Sequence, residues 1–200
     1  MAIKFQYNKT SLQDLNKQLK VRERALPTIK NKESALRMEV IRAKDQAAKL
    51  DAKLQAKISD YNSMVQLWGE FDAGLVTIKD VRLSVKKIAG VKTPVLEGID
   101  FFTKQFSLFG QPVWFMEGIK IVKELAEIAI EREFFNRKMQ LLDYARKKTT
   151  QKVNLYEKVQ IPGYQEAILK IKRFMEDEEN LSKSAQKIVK KRQQEMEEMS

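Results

Sequence analysis

The sequence of 200 residues contains neither cysteine nor histidine. Without cysteine the chain can form no disulfide, no thiolate nucleophile and no zinc–thiolate site. Without histidine it lacks the most common general base and the most common imidazole ligand of metals. Any catalysis would therefore depend on carboxylates, lysine, tyrosine or serine alone. We expect a protein that is not an enzyme and has no catalytic residues, cofactor or metal site.

Turn residues and long apolar runs are also scarce. With only 7 glycines and 4 prolines, the chain has little material for the turns between short strands, and a mostly helical fold is favoured. The N-terminal stretch MAIKFQYNKT lacks the apolar centre of a signal peptide, and no run approaches the roughly 20 apolar residues that a membrane span needs. We therefore expect a cytoplasmic chain with no direct membrane span.

Charge is what the sequence has in excess: 38 lysines and arginines stand against 27 acidic residues, a net charge of +11. This balance favours an acidic partner, whether nucleic acid, an anionic membrane surface or a protein. Neither GxxxxGK[ST] nor GxGxxG occurs, so no nucleotide site is predicted. The basic runs at 145–148 and 187–192 and the acidic run at 176–179 are more typical of solvated helix faces, or of a face that meets an acidic protein, than of phosphate or cation sites.

Apolar residues between positions 12 and 68 repeat in heptads, interrupted only by Arg22, Glu33 and Lys57. One heptad position contains Leu12, Leu19, Leu26, Glu33, Val40, Ala47, Leu54, Tyr61 and Trp68. The other contains Leu15, Arg22, Ile29, Leu36, Ala43, Leu50, Lys57 and Met64. A stripe kept in phase this long predicts a left-handed supercoil against a partner helix, because a straight helix would turn the stripe away by roughly 20° per heptad.

This first helix should span on the order of 85 Å at 1.5 Å per residue. Residues 8–11 offer N-caps for it. Pro27 lies inside it, so we expect a local bend or a missing backbone bond to Glu23 there.

The middle of the chain changes period. Val81, Leu83 and Val85 alternate with polar neighbours, which predicts a half-buried strand, and residues 94–101 can form a return strand after a turn at 89–92. The aromatic residues Trp68, Phe101, Trp114 and Phe115 are predicted to form a small core near this hairpin. Three further phenylalanines, at 102, 106 and 109, exceed what so thin a body can bury and favour an exposed docking patch.

A second apolar stripe follows at helical spacing. It contains Ile121, Leu125, Ile128, Phe135, Met139, Leu142, Val153, Tyr156, Ile161, Tyr164, Ile168, Ile171, Met175, Ala185, Val189 and Met196. Two long stripes in one chain are buried most simply as an antiparallel helix pair. We predict a mostly α fold: an antiparallel two-helix coiled coil of the N- and C-terminal helices with a small mid-chain β-hairpin.

The predicted domain is a single elongated one over 1–200. Its parts are an N-terminal coiled-coil helix at 8–70, a hairpin and loop region at 71–112, and a C-terminal coiled-coil helix at 113–199 that is bent near Pro162. The C-terminal helix is longer than its partner, so Ala185, Val189 and Met196 near its end should need an external protein sleeve or a second copy.

Three parts of the sequence, in order along nearly the whole chain, resemble the D subunit of the vacuolar and archaeal type rotary ATPases, a family that includes bacterial members. The first is the spaced pattern of Lys9, Leu12, Leu15, Lys17, Leu19 and Lys20. The second is IAGVK at 88–92, followed by Pro94. The third is KVNLYE at 152–157, followed by Ile161, Pro162, Ile168 and Ile171.

The resemblance implies a central rotor shaft that transmits torque between a catalytic hexamer of A and B subunits and an ion-translocating membrane ring. It implies further partners in the F subunit and in the C subunit, the socket on the ring. It places the chain at the inner face of the cell membrane as part of this complex. We expect contacts with the hexamer at Ala185, Val189, Met196, Lys187, Lys190 and Lys191, and contacts with the lower stalk or socket at Phe102, Phe106 and Phe109.

Two other functions remain open from the residues alone. One is a basic coiled-coil adaptor that binds nucleic acid or an anionic membrane, and the other is a homo-oligomeric coiled-coil adaptor. For Pro162 we weigh a bend that makes the shaft asymmetric within its sleeve against a tolerated kink without consequence.

Overall fold

The structure, a computed structural model, describes residues 3–61, 68–105 and 112–198. The elements in chain order are α1 (Lys9–Asp60), a 3₁₀ turn (Ala73–Leu75), β1 (Val76–Ile88), β2 (Val91–Thr103), α2 (Phe115–Asn154), a π-helical turn (Leu155–Gln160) and α3 (Ile161–Glu198). The predicted fold class, mostly α with long N- and C-terminal helices and a mid-chain hairpin, is confirmed. Among the described residues, no helix has the length and apolar composition that crossing a membrane requires.

The start of α1 is fixed by a side-chain cap. The Oδ1 atom of Asn8 accepts a hydrogen bond from the backbone N–H of Ser11 at 2.7 Å, which satisfies one of the free donors of the first turn. In return, the backbone N–H of Gln6 donates to Ser11 Oγ at 3.2 Å. The predicted cap at 8–11 is therefore confirmed, and α1 continues through Pro27 to Asp60 as one assigned helix.

The residues before Lys32 and those after Lys148 form one compact unit. Its core consists of Leu15 from α1 and Ala167, Ile168 and Ile171 from α3. Farther along α1, Lys30 binds Glu157, which precedes α3, so contacts that advance along α1 move backward along the C-terminal segment. The two helical segments of this unit are thus antiparallel, as the two stripes predicted.

A second compact unit consists of residues 32–148. Here Arg132 of α2 donates to Asp51 of α1 at 2.8 Å, and Lys57, farther along α1, pairs with Glu124 at 2.6 Å. This order again makes the helices antiparallel. The buried apolar side chains belong to both predicted stripes: Leu36, Ala43, Ala47 and Leu54 from α1, and Ile121, Ile128 and Leu142 from α2.

The hairpin has longer strands and a shorter turn than the sequence predicted. Only Ala89 and Gly90 lie between the strands, and both have positive φ, at 48° and 78°. A two-residue turn of this kind matches the right-handed twist of the strands it joins. The predicted turn at 89–92 was therefore too long, because Val91 and Lys92 already pair with Ile88 and Lys87.

The predicted alternation of buried and exposed residues in β1 was wrong. Val81 is half-buried, but Leu83 and Val85 are exposed, at 54% and 68%. The strand register contains two bulges, because Lys79 in β1 and Glu97 in β2 each lie opposite no partner residue. No residue of β1 is skipped between Val81 and Val85, so Val81, Leu83 and Val85 share one face of the strand. Their different exposure therefore depends on what covers that face along its length.

The turn at Ala89 and Gly90 generates a stability prediction. Ala89 adopts a left-handed conformation that costs an L-residue roughly 1–2 kcal/mol and that asparagine tolerates better. Ala89→Asn should stabilise the hairpin, whereas Ala89→Val should destabilise it because a β-branched residue fits this conformation poorly. Hydrogen exchange of the Ile88 and Val91 amides, which form the hydrogen-bonded pair that closes the turn, should slow in the first variant and accelerate in the second. Equal exchange in the two variants would contradict the role of backbone strain.

Candidate functional site at the π turn and the terminal part of α3

Pro162 is the second residue of α3 and lies two residues beyond Gln160, the last residue of the π turn. The backbone N–H of Ile161 donates to the carbonyl of Tyr156, five residues earlier, in place of the usual four. Pro162 has no N–H to donate, so the regular α-helical ladder is interrupted here in any case. The bend expected near residue 162 stays a prediction, and the π turn was not predicted from the sequence.

The sequence nevertheless carries a signal for this turn. In the C-terminal stripe, neighbouring members around this point are three or four residues apart, but Tyr156 and Ile161 are separated by five. All four half-buried stripe residues here, Val153, Tyr156, Ile161 and Tyr164, flank or lie within the π turn. An i→i−5 turn accommodates about one residue more than an α-helical turn. The gap in the stripe therefore coincides with the turn that absorbs it.

Arg22 is the side chain of α1 that meets the end of the π turn. Its Nε atom donates to Gln160 Oε1 at 2.8 Å, and its guanidinium lies 4.4 Å from the ring centroid of Tyr164. Its Nη1 atom also donates to the Gln18 side chain at 2.7 Å and to the Gln18 carbonyl at 3.0 Å. We call the contacts of Arg22 with Gln160 and Tyr164 the Arg22 clamp. In the sequence, Arg22 stood out only as an interruption of the heptads.

The terminal part of α3 carries the side chains predicted to meet the hexamer. Every described side chain from Glu176 to Glu197 is exposed, although an apolar stripe continues along this segment. Val189 is 55% exposed and Met196 is 72% exposed. Leu181 and Ile188, which were not predicted as members of the stripe, lie at helical spacing from Ala185 and are also exposed. The segment thus presents an apolar stripe that no described residue of its unit covers.

Charge along this terminal part of α3 is arranged in bands. The acidic run 176–179 comes first, and within it Glu179 binds Lys183 at 2.6 Å, an interaction that lowers the pKa of Glu179. The basic run 187–192 follows, and Lys191 lies 3.7 Å from Glu195. Among the described side chains, Lys187 and Lys190 have no acidic partner within ion-pair distance. These two cations are therefore available to an acidic surface.

The other basic run, at 145–148, is partly neutralised within the chain. Asp143 accepts from Arg146 at 2.7 Å and from Lys147 at 3.0 Å. The hydrogen bond from Lys147, followed by that from Arg146, lowers the pKa of Asp143 below its usual value of 3.8. Because one carboxylate already engages two of its cations, this run is poorly suited to gripping a phosphate backbone.

The mid-chain aromatic residues fall into two groups. Trp68, Phe71, Trp114 and Phe115 form a cluster with ring centroids 5.1–5.8 Å apart. This confirms Trp68, Trp114 and Phe115 as members of a small aromatic core. Phe71, which contacts the other three rings, was not predicted, whereas Phe101, which was predicted, is half-buried on β2 and is not one of the four rings. In the predicted docking patch, Phe102 is 56% exposed on β2, whereas Phe106 and Phe109 lie outside the described residues.

A groove of about 440 Å³ lies between the hairpin and α2 in the second unit. Val81 and Leu83 of β1 form one wall, and Ala129, Ile130 and Phe134 of α2 form the other. It explains why Leu83 is not buried: β1 stands off from α2 at this level instead of packing against it.

The carboxylate of Asp143 generates a pH prediction. Because its pKa is lower in the folded chain than in the unfolded one, its contribution to stability is complete above the unfolded value and is lost as the pH falls through the folded one. Asp143→Asn should therefore lower the free energy of unfolding at neutral pH by about 0.5 kcal/mol. This loss is measured as a lower thermal midpoint. The difference from the parent chain should shrink as the pH falls below the usual aspartate pKa of 3.8 and vanish once the pH is below the lowered pKa of the folded chain. A difference that stays constant across this range would show that the carboxylate charge is not responsible.

Comparison with known proteins agrees with this architecture. The family model for the D subunit of ATP synthase matches residues 11–191. A V-type ATP synthase D subunit from Borreliella burgdorferi is 30% identical over 190 residues, covering 94% of each chain. The protein of the same name from Chlamydia pneumoniae is 26% identical over 200 residues, covering 96% of this chain and 94% of its own. The one from Chlamydia felis is 27% identical over 183 residues, covering 89% of this chain and 88% of its own. The chain belongs to the family of ATP synthase D subunits.

Proposed function

We propose that this chain is the central rotor shaft of a V/A-type ATPase or ATP synthase. In this role it transmits torque between the catalytic hexamer of A and B subunits and the ion-translocating membrane ring, and it catalyses no reaction itself. Membership in the D subunit family supports the assignment to such a complex. The lack of histidine and cysteine supports a mechanical role.

The observation that carries this proposal is the exposed terminal part of α3. A single helix of this length with an uncovered apolar stripe is weakly stable in water by itself, because most helical stability in proteins comes from burying such a stripe. Leu181, Ile188 and Met196 are each more than half exposed. An enclosing sleeve of other subunits would bury them, and the A and B hexamer is the sleeve that we propose.

The charge bands suit a helix that turns inside a sleeve. Lysine side chains are long and keep their charge in solvent, and their attraction to acidic loops is screened within about 8–10 Å at physiological salt. Lys187, Lys190 and Lys191 could therefore attract the sleeve without fixing one orientation. The same screening makes the attraction dependent on salt, which gives the proposal a direct test.

The hairpin region is the part of the chain that we assign to the lower stalk. Phe102 projects from β2 with more than half of its surface exposed, which supports a contact with the F subunit or with the C subunit that forms the socket. We extend this contact to Phe106 and Phe109. In this arrangement the chain is peripheral to the inner face of the cell membrane, held there by its partners.

The alternative of a basic adaptor for nucleic acid or anionic membranes finds less support. One of the two basic runs is engaged by Asp143, and no aromatic residues interleave the other. Salt-dependent binding to duplex DNA and to anionic vesicles measures this alternative directly. The mass of the purified chain tests the homo-oligomeric adaptor, because a shaft is present as one copy.

Neutralising the three lysines of the basic run 187–192 should weaken assembly in a salt-dependent way. The triple variant Lys187→Gln, Lys190→Gln and Lys191→Gln should bind the purified A and B hexamer more weakly than the parent chain at low salt, and the two should converge as salt rises. The measurement is a binding titration at several ionic strengths.

A matched control removes the same charge elsewhere. Lys44, Lys49 and Lys53 are exposed on α1 in the second unit, and their replacement by glutamine should leave binding to the hexamer unchanged. Equal loss in the two triple variants would mean that net charge alone attracts the hexamer. A loss that is the same at all salt concentrations would refute the electrostatic account.

Pro162 generates the second functional prediction. We propose that the interrupted ladder at Pro162 makes the shaft asymmetric within its sleeve, so that one rotor imposes unlike states on chemically identical catalytic sites. Pro162→Ala restores a backbone donor and removes the clash of the proline ring with the preceding turn. In the reconstituted complex this variant should hydrolyse ATP with fewer coupled rotations. Unchanged coupling would favour the kink without consequence.

A further inference from the structure

We propose that the π turn Leu155–Gln160 holds one extra residue of the C-terminal stripe, and that the Arg22 clamp holds this turn in place. The clamp thereby decides which side chains of α3 face α1. This is a property of the helix pair in the first unit, and it does not depend on the proposed role as a rotor shaft.

The first step is that an extra residue has to be placed somewhere. Before the five-residue gap the stripe includes Val153 and Tyr156, and after it the stripe includes Ile161, Tyr164 and the buried Ile168. A continuous α-helix through this gap would rotate every residue beyond it by about 100°. The π turn removes this rotation, because its wider turn takes up the extra residue. Ile168 and Ile171 therefore still face Leu15.

The second step is that several turns could hold the extra residue. If the wide turn moved one turn toward the C-terminus, Ile161 and Tyr164 would leave the seam while Ile168 and Ile171 stayed in it. Apolar packing alone discriminates poorly between such arrangements, because each exchanges a few half-buried side chains. A directional polar contact discriminates better between these arrangements. In the wrong arrangement the polar group loses its hydrogen bond while it is still partly desolvated.

Arg22 supplies this directional contact. It occupies a heptad position on α1 between Leu15 and Ile29, so its guanidinium lies at the seam. It binds Gln160, the last residue of the π turn, and stacks on Tyr164, one turn later. The contact with Tyr164 requires the extra residue to lie before Ile161, because Tyr164 leaves the seam if the wide turn moves toward the C-terminus. The bond to Gln160 adds a hydrogen bond at the end of the same turn. The bond from Lys30 to Glu157 at 2.7 Å adds a second contact to the turn, but both side chains are nearly half exposed and the pair contributes little.

Two neighbouring residues favour the same placement. Pro162 cannot donate a backbone hydrogen bond, so a break in the α-helical ladder costs least where this donor is already missing. Gly163 admits the N-terminal segment: a Cβ atom there would lie 3.2 Å from Ile3 Cδ1. Ile3 and Phe5 pack against the core of Leu15 and Ile171. If Gly163 rotated away from Ile3, the N-terminal segment would lose its packing contact with α3.

Single-residue deletions test the extra residue. Lys158 is an exposed residue of the π turn, and Lys20 is an exposed residue of regular α-helix in α1. Deleting Lys158 should convert the turn into α-helix, with the urea midpoint equal to or above that of the parent chain. Deleting Lys20, the charge-matched control, should lower the midpoint because it rotates Leu12 and Leu15 away from α3. If both deletions lower the midpoint equally, the π turn holds no removable residue and the proposal is wrong.

Spin-label distances test the clamp. The chain has no cysteine, so labels at introduced cysteines are unambiguous. A first pair, Lys17→Cys with Gln165→Cys, spans the clamp, and a second pair, Asp14→Cys with Lys172→Cys, spans the core beyond it. Both should give one narrow distance in the otherwise unchanged chain. With Arg22→Leu added, the first pair should show at least two distances, whereas the second should keep one.

The two tests are linked through a combined variant. In the chain without Lys158 there is no extra residue to relocate, so Arg22→Leu should no longer broaden the first distance. Gln160→Glu, which still accepts from Arg22, should keep that distance narrow with Arg22 present. A single distance in Arg22→Leu would overturn the role of the clamp. Broadening by Arg22→Leu that persists after deletion of Lys158 would overturn its link to the π turn.

Discussion

The phase of the apolar stripes is the constraint on which the rest of the structure depends. Two helices bury each other only while their stripes stay face to face, and a single misplaced residue rotates everything beyond it by about 100°. The chain keeps α1 in heptads without an insertion, whereas the C-terminal helices contain one, and they remain in phase because a π turn absorbs it. Leu15 and the fully buried Ile171 meet as a result.

Much of the fold could be predicted because helical periodicity is a local signal that accumulates. The heptads that contain Leu36, Ala43 and Leu54 extend over many turns, so single polar interruptions do not hide them, and these residues are indeed buried. The resemblance to the rotary ATPase D subunit drew on the same local patterns and led to the family that the comparisons show. The N-cap at Asn8 was equally predictable from the sequence, because a cap involves only residues of one helical turn.

Features that depend on pairing between distant residues could not be predicted in the same way. Alternation in β1 indicated that Leu83 and Val85 would be buried, but burial of a strand face requires another element to pack against it, which no single strand encodes. The bulges at Lys79 and Glu97 are likewise set by how the two strands align. In the sequence Arg22 was only an interruption of the heptad pattern, because its contacts with Gln160 and Tyr164 join residues that are far apart in the chain. The spacing between Tyr156 and Ile161 was visible in the sequence, but only the hydrogen bond from Ile161 to Tyr156 gives that spacing a geometry.

The same chain therefore treats apolar surface in two different ways. Around Leu15 and Ile171 the apolar surface is buried between α1, α3 and the N-terminal segment. The polar clamp beside it lowers stability but selects a single arrangement of the helices. Beyond Glu176 the apolar stripe continues but is left open and flanked by charge. The rotor role that we propose would use this combination. Torque would pass through the segment whose helices are fixed against each other, and the open stripe would offer a surface that a partner can surround. In the C-terminal segment, the clamp residues Gln160 and Tyr164 lie on the N-terminal side of both regions. The clamp therefore sets the rotational phase of α3 for the closed packing and for the open stripe beyond it.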